Sequence, residues 1–346
     1  IDGFQLTVTN DIAVLGANTT LKRFELTNAI VVCGGGLTVT GATLSLFGGA
    51  TSAPILNVGG DLTLTNGGAL AVYAGTTNPA RDYGALVNVS GDASIGSNAW
   101  VFPHSHPTNG GSVMFQMRNL TIEAGGGFNA NGLGFIGKIS GGPPWYPAYG
   151  PGTGNTGSGG GYGGAGGAGN SGAGGPAYGS SNAPVDPGSP GGDYLAGIGA
   201  NGGGAVRVQA AGSVKLNGTI QADGDDYGNI DAGGGSGGGI YITCRRFSGT
   251  NGILRAAGGT GGTRYGGGGG GGRIAVWCGV PNSLRARYLA GIPGGVTRAT
   301  DPPGTFNGAI SVTNGTGFVN PPNPAAADPG TCFFFTVPSG MVIRLL

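Results

Sequence analysis

The chain has 346 residues, of which 83 are glycine and only 9% are charged, with a formal net charge of +1. That balance excludes the electrostatic grip needed to hold nucleic acid or an anionic lipid surface. A 38% hydrophobic content with almost no net charge excludes a disordered composition, and no apolar run approaches the ~18 residues of a membrane-spanning helix.

From the N-terminus, apolar and polar residues alternate in Phe4–Thr9, Leu37–Thr40 and Leu62–Thr65, the pattern of half-buried strands. The segment Val31–Thr40 is echoed by Leu56–Thr65, Val87–Ile95 and Met117–Ala124. Leu37 to Leu62 is 25 residues, Leu62 to Ala93 is 31, and Ala93 to Leu120 is 27. Constant strands with variable connections suit stacked rungs that bury their apolar faces on one another. No 3.6-residue stripe survives the glycines. The expected fold is therefore all-β, a parallel β-helix or β-solenoid, with rungs over residues 1–135.

Residues 136–204 change character. Glycine occupies every third position from Gly154 to Gly175. Collagen shares that period but needs abundant proline, and Pro176 is the only one in the run from Gly154 to Ala177. The expectation is an ordered insertion of extended, polyglycine-II-like strands; the bland alternative is a flexible Gly/Ser linker. Rungs resume over 205–280 with a 34-residue period, in which Asn217–Gly218 matches Asn251–Gly252 and Ala222 matches Ala256. Residues 281–346 are Pro-rich and end in the apolar segments Cys332–Val337 and Met341–Leu346, expected to form a C-terminal β segment or cap.

The Gly-Asp-Leu-Thr-Leu rungs, with the glycine runs that precede Ile240-Tyr-Ile and Arg273-Ile-Ala-Val, resemble glycine-rich bacterial surface proteins. That loose group includes filamentous-haemagglutinin-like and autotransporter-type β-helices. The resemblance spans about residues 30–280 and lies in style rather than in a diagnostic motif. It implies an extracellular scaffold, adhesin or filament, and transfers no catalytic residue.

Cys244 and Cys278 stand one 34-residue period apart. They are expected to stack in adjacent rungs about 4.8 Å apart, within reach of a disulfide; two buried thiols are the alternative. Cys33 and Cys332 could pair with each other, pair between subunits or stay free. The stretch Asp223 to Asp231 partly resembles a calcium loop, with Asp223, Asp225, Asn229 and Asp231 as candidate Ca²⁺ ligands. Two expected ligand positions are missing, and a solvated acidic turn is the plainer reading. No other cofactor is expected. His104 and His106, the two histidines, lack an acidic or Cys partner nearby in sequence and read as a surface turn. The rung residues Thr38, Thr63, Ser94 and Thr121 are expected to form a ladder along one face.

No nucleophile elbow or interpretable phosphate loop is present, since glycine-rich matches arise here from composition alone. With Ile1 rather than Met in first place and few lysines, the expectation is an exported, extracellular or cell-surface chain without enzymatic activity. Its partner would be itself, as the subunit of a filament or surface layer assembled end to end or by donated strands. The candidate contact residues are Phe4, Leu6 and Val8 at one end, with Phe333, Phe335, Val342 and Ile343 at the other. The alternative is a cell-surface or phage-type adhesin that binds glycans through Trp145, Tyr146 and Tyr162 of the glycine-rich insertion; these aromatics could equally seal the glycine layer.

Overall fold

The computed structural model describes residues 5–15, 23–27, 30–49, 52–137, 148–169, 172–193, 199–227, 231–281, 289–290, 298–299, 302–303, 305–317 and 326–337. The alternating segments become short strands laid down in threes. The first set is β1 (Gln5–Val8), β2 (Ile12–Leu15) and β3 (Arg23–Thr27). The second is β4 (Ile30–Cys33), β5 (Leu37–Thr40) and β6 (Thr43–Phe47). β7 (Ile55–Val58), β8 (Leu62–Thr65) and β9 (Ala69–Tyr73) follow, then β10 (Ala85–Val89), β11 (Ala93–Ile95) and β12 (Trp100–His104). The fifth set is β13 (Val113–Met117), β14 (Leu120–Ile122) and β15 (Gly127–Asn129). After the glycine-rich stretch come β16 (Ala205–Ala210), β17 (Ser213–Leu216) and β18 (Thr219–Gln221). The remainder are β19 (Gly239–Cys244), β20 (Arg246–Arg255), β21 (Arg273–Cys278), β22 (Arg298–Ala299), β23 (Phe306–Ser311) and β24 (Thr331–Thr336).

Through β17 each strand pairs in parallel with the strand three places on. Leu37 faces Leu62, Leu62 faces Ala93, and Ala93 faces Leu120, so the uneven sequence spacings are absorbed by the connections. Leu120 then faces Val214 as though the intervening insertion were absent. In the C-terminal part Ile220 faces Leu254 and Cys244 faces Cys278, both at the expected 34 residues. The ladders make a 10-stranded sheet running from β1 to β24 and β22, and a 14-stranded sheet whose two ladders meet in β20. Only β22 runs antiparallel among the described strands. The fold is all-β with parallel sheets; the only helical residues described are Leu289 and Ala290.

The strand pattern fixes which side chains go inside. Val39, Leu64, Ile95 and Ile122 stack in register and are at most 2% exposed. One apolar cluster extends from Val31 to Phe334, so successive sets share a continuous core. It includes the edge-to-face pair Phe115 and Phe128, 5.1 Å apart, a favoured geometry for buried rings. The corner before the third strand of the second to fifth sets is turned through positive φ by Gly41, Asn66–Gly67, Asn98 and Gly125, residue types that tolerate the left-handed region.

Candidate functional site

The glycine-rich segments follow β15, β18, β20 and β23 and lead back into β16, β19, β21 and β24. They thus recur at one position of successive repeats and are not confined to residues 136–204. Their backbones bond to several neighbours rather than to one sheet partner. Gly159 N–H donates to Gly167 O (2.9 Å), Gly167 N–H to Gly268 O (2.8 Å) and Gly175 N–H to Gly159 O (2.9 Å). Later segments close the network: Gly160 N–H donates to Gly234 O (3.0 Å), Gly234 N–H to Gly267 O (3.0 Å) and Gly267 N–H to Gly157 O (2.8 Å). A Cβ built on Gly159 would overlap the Gly268 carbonyl, and one on Gly233 the Ser158 carbonyl. Close backbone approach is what requires glycine here. Small hydroxyls enter the layer and both donate and accept. Ser158, Ser189 and Ser236 are fully buried; Ser158 Oγ donates to Gly172 O (2.7 Å), and Ser189 N–H donates to Ser236 Oγ (2.8 Å).

Residues 178–187 lie over the outer face of the 10-stranded sheet. Ser112 Oγ donates to Val185 O (3.0 Å) and Trp277 Nε1 donates to Asn182 O (2.7 Å). Beneath them Tyr241, Ala275, Trp277, Phe333 and Phe335 form a second apolar cluster with Ala183 and Val185. Two arginines are buried at this boundary. Arg273 donates through Nε to Tyr178 O (2.9 Å) and through Nη2 to Tyr162 O (3.3 Å). Arg207 donates to Asp82 O (2.7 Å) and pairs with the exposed Asp82 carboxylate at 2.8 Å. Burial pushes the Tyr162 and Tyr178 hydroxyls and the Asp186 carboxyl up and the Arg273 guanidinium down, as desolvation disfavours each charged form. Tyr162 is 0% exposed. The glycan role considered for it is therefore corrected: it seals the glycine layer and cannot meet a sugar. Trp145 and Tyr146 lie outside the described residues.

The Cys244 and Cys278 Sγ atoms stand 3.8 Å apart inside the core, as two thiols. Cys33 is buried on β4, with its thiol 3.3 Å from Gly36 O. Cys332 faces Ile274 on the terminal strand β24, and burial raises its pKa to about 11. Cys33 and Cys332 sit at opposite ends of the 10-stranded sheet, which removes pairing with each other inside one chain.

In the acidic stretch the described carboxylates each have their own partners. Asp223 Oδ1 accepts the Ala257 N–H (2.7 Å), and its Oδ2 pairs with Arg255 Nε at 3.0 Å; burial still outweighs that cation and raises its pKa. Asp226 accepts the Thr260 N–H (2.6 Å), and Asp231 pairs with Arg264 at 3.2 Å. Asp225 is raised by burial, with the Asn201 side chain beside it, and Asn229 lies outside the described residues. The described carboxylates thus turn to separate donors, and among the described residues no three His, Cys, Asp or Glu side chains converge on a metal position. Asp223, Asp226 and Asp231 tie their segment to the one 33 or 34 residues on.

The same device, missed in the sequence, lines another corner. Gly36 N–H donates to Asp11 Oδ1 (2.6 Å), Asp92 N–H to Asp61 Oδ1 (2.8 Å), and Ser213 N–H to Asn119 Oδ1 (2.7 Å). Its signal is the Asp or Asn standing immediately before β2, β8, β11 and β14. Arg118 adds a hydrogen bond to Asp92 at 2.7 Å and holds that carboxyl below its usual range.

The histidines part company. His104 ends β12 and stacks on Tyr73 at 3.9 Å, which itself stacks on Phe47 at 4.3 Å. Burial lowers its pKa to about 4. His106 Nδ1 accepts the Asn109 N–H (3.1 Å) and caps a turn. Thr38, Thr63, Ser94 and Thr121 do stand in register as a ladder, continued by Lys215.

Of the expected end contacts, Phe333 and Phe335 are buried within the chain at 8% and 0% exposure, so neither ring is offered to a neighbour. Their strand β24 pairs with β21 on one side and on the other, among the described residues, with the two residues of β22. Leu6 and Val8 lie on β1, facing Val31 and Cys33 of β4. Phe4, Val342 and Ile343 lie outside the described residues. No described helix is long and apolar enough to cross a membrane. No protein-family model, curated protein or solved structure matches the chain.

Proposed function

We propose that the three recurring ladders form a parallel β-solenoid with a polyglycine-II layer along one side. We further propose that it serves as a non-enzymatic structural subunit of an extracellular filament or surface layer, built from copies of itself. The observation that carries this reading is the condition of the sheet ends. Among the described residues β1, β2 and β3 are each hydrogen-bonded on one side only, and β24 is covered over two residues. Open strand edges template further pairing, and joining unlike ends propagates without closing. The low charge supports it too, because a near-neutral surface gives little repulsion between copies. Glycine strands bonded on several sides, with small buried serines, suit a scaffold.

Negative-stain electron microscopy of the purified chain tests this. Regular filaments with an axial repeat near one subunit are expected, and removing residues 1–14 should abolish them while the circular-dichroism β signal stays. Discrete particles from the intact chain overturn the filament role. Unchanged filaments from the shortened chain remove the N-terminal strands from the contact.

A further inference from the structure

The cysteines at the ends of β19 and β21 carry more than a packing role. Cys244 and Cys278 are direct register partners on neighbouring parallel strands. Such strands run ~4.8 Å apart, inside the Cα separation of about 4.4–6.8 Å that a disulfide accepts. Their Sγ atoms already lie 3.8 Å apart, so side-chain rotation alone closes the gap. Neither other cysteine competes: Cys332 faces Ile274, four residues away along β21, and Cys33 is on β4 toward the far end of the sheet. Both thiols are sealed in the core at 5% and 3% exposure, and Cys278 faces Thr336 of the terminal strand β24.

We propose that Cys244 and Cys278 are a covalent modification site at which thiol–disulfide exchange with a small disulfide cross-links β19 to β21, gated by undocking of β24. The Cys278 thiolate attacks one sulfur of the small disulfide and expels its other half as a thiolate. The Cys244 thiolate then attacks the Cys278 sulfur of the mixed disulfide and expels the second half. The two cysteines lose two protons and two electrons; the small disulfide gains both as two thiols. The order of attack follows from the surroundings. Hydrogen bonds from Cys244, the Phe247 backbone and the Thr336 hydroxyl favour the Cys278 thiolate against the cost of burial, and the thiolate is the nucleophile. A buried pair meets an oxidant only when its cover opens, and the described cover is the end strand of the stack.

The test uses the full chain incubated with oxidised glutathione, alkylated at intervals, digested and weighed. Expected are the loss of two of the four thiols, a linked Cys244–Cys278 peptide lighter by two hydrogens, and no link in Cys278→Ser. Phe334→Ala, which loosens β24 through its 1%-exposed core ring, should speed linkage at least about tenfold, since such truncations cost several kcal/mol. Persistence of all four thiols in both the parent and Phe334→Ala proteins overturns the site, as does linkage through Cys33 or Cys332. Equal rates in the two proteins overturn the gating.

Discussion

Replacing Gly159 by alanine puts the glycine layer to its sharpest test. The added Cβ would fall inside the Gly268 carbonyl, well under the 3.0 Å that real Cβ atoms keep, and both sides of the clash are backbone. The segments must separate, which strains three hydrogen bonds: Gly159 N–H to Gly167 O, Gly167 N–H to Gly268 O and Gly175 N–H to Gly159 O. At about 1 kcal/mol each these amount to ~3 kcal/mol, and overpacking adds ~1–3 kcal/mol. The lower entropy of the unfolded alanine chain returns about 0.5–1 kcal/mol. A net loss of about 3–5 kcal/mol is therefore expected from urea denaturation followed by circular dichroism. Gly96→Ala is the control, because its Cβ would lie 3.3 Å from Leu64 O, a contact a small shift relieves. A Gly159→Ala loss below about 1 kcal/mol, or one equal to the control, would refute close backbone packing as the reason for glycine.

Asp61→Ala removes the acceptor for the Asp92 N–H and should cost about 1 kcal/mol, while Asp61→Asn keeps the oxygen and most of the stability; equal losses would count against the staple. His104, with its pKa lowered from 6.5 to about 4, stays neutral in the fold while the unfolded chain takes up a proton. Its contribution is whole above pH 6.5 and falls away as the pH drops toward 4, on the order of 2 kcal/mol after allowance for its partial exposure. Denaturation midpoints at pH 7.5 and 4.5 should show that loss shrinking in His104→Phe, and an unchanged difference would clear His104 of it. In hydrogen exchange, the amides of Gly160, Gly234 and Gly270 should open with one common free energy, because they belong to one network; a stepwise fall from repeat to repeat would contradict that coupling.

Much of the fold was legible because strand alternation and turn chemistry are local. Leu37, Leu62, Ala93 and Leu120 hold equivalent places in matching segments, and the structure pairs them. The 34-residue step placed Cys244 opposite Cys278 for the same reason. What stayed hidden depends on contacts between distant segments. Nothing near Arg207 in the sequence announces Asp82, 125 residues away, and nothing near Arg273 announces the carbonyl of Tyr162, 111 residues away. The role of the acidic stretch was hard to read because alternating carboxylates suit a cation loop, a solvated turn and a row of staples alike. Which one forms depends on where the neighbouring repeat puts its N–H groups and arginines. Phe333 and Phe335 read as an exposed terminal strand because the residues that cover them, Ala183 and Val185, come about 150 positions earlier.

The glycine-rich stretch between β15 and β16 also changes how stability is distributed. In a simple stack each repeat touches only its neighbours, so stability is a sum of local terms and ends fray first. Here residues 157–164, inserted after the fifth set of strands, bond to Gly234 and Gly267 and, through Gly164, to Gly271, which belong to two later connections. Gly271 N–H in turn donates to Asp328 O, and Asp328 N–H to Ala165 O, so the last connection is tied to the insertion as well. Opening the C-terminal end therefore breaks bonds to a segment placed more than a hundred residues earlier. Toward the N-terminus the insertion reaches Ser112, which donates to Val185 O, while the earlier sets are joined by register, a shared core and Asp staples. The described C-terminal strands are thus braced by a distant segment, whereas β1, β2 and β3 are each hydrogen-bonded on one side only among the described residues.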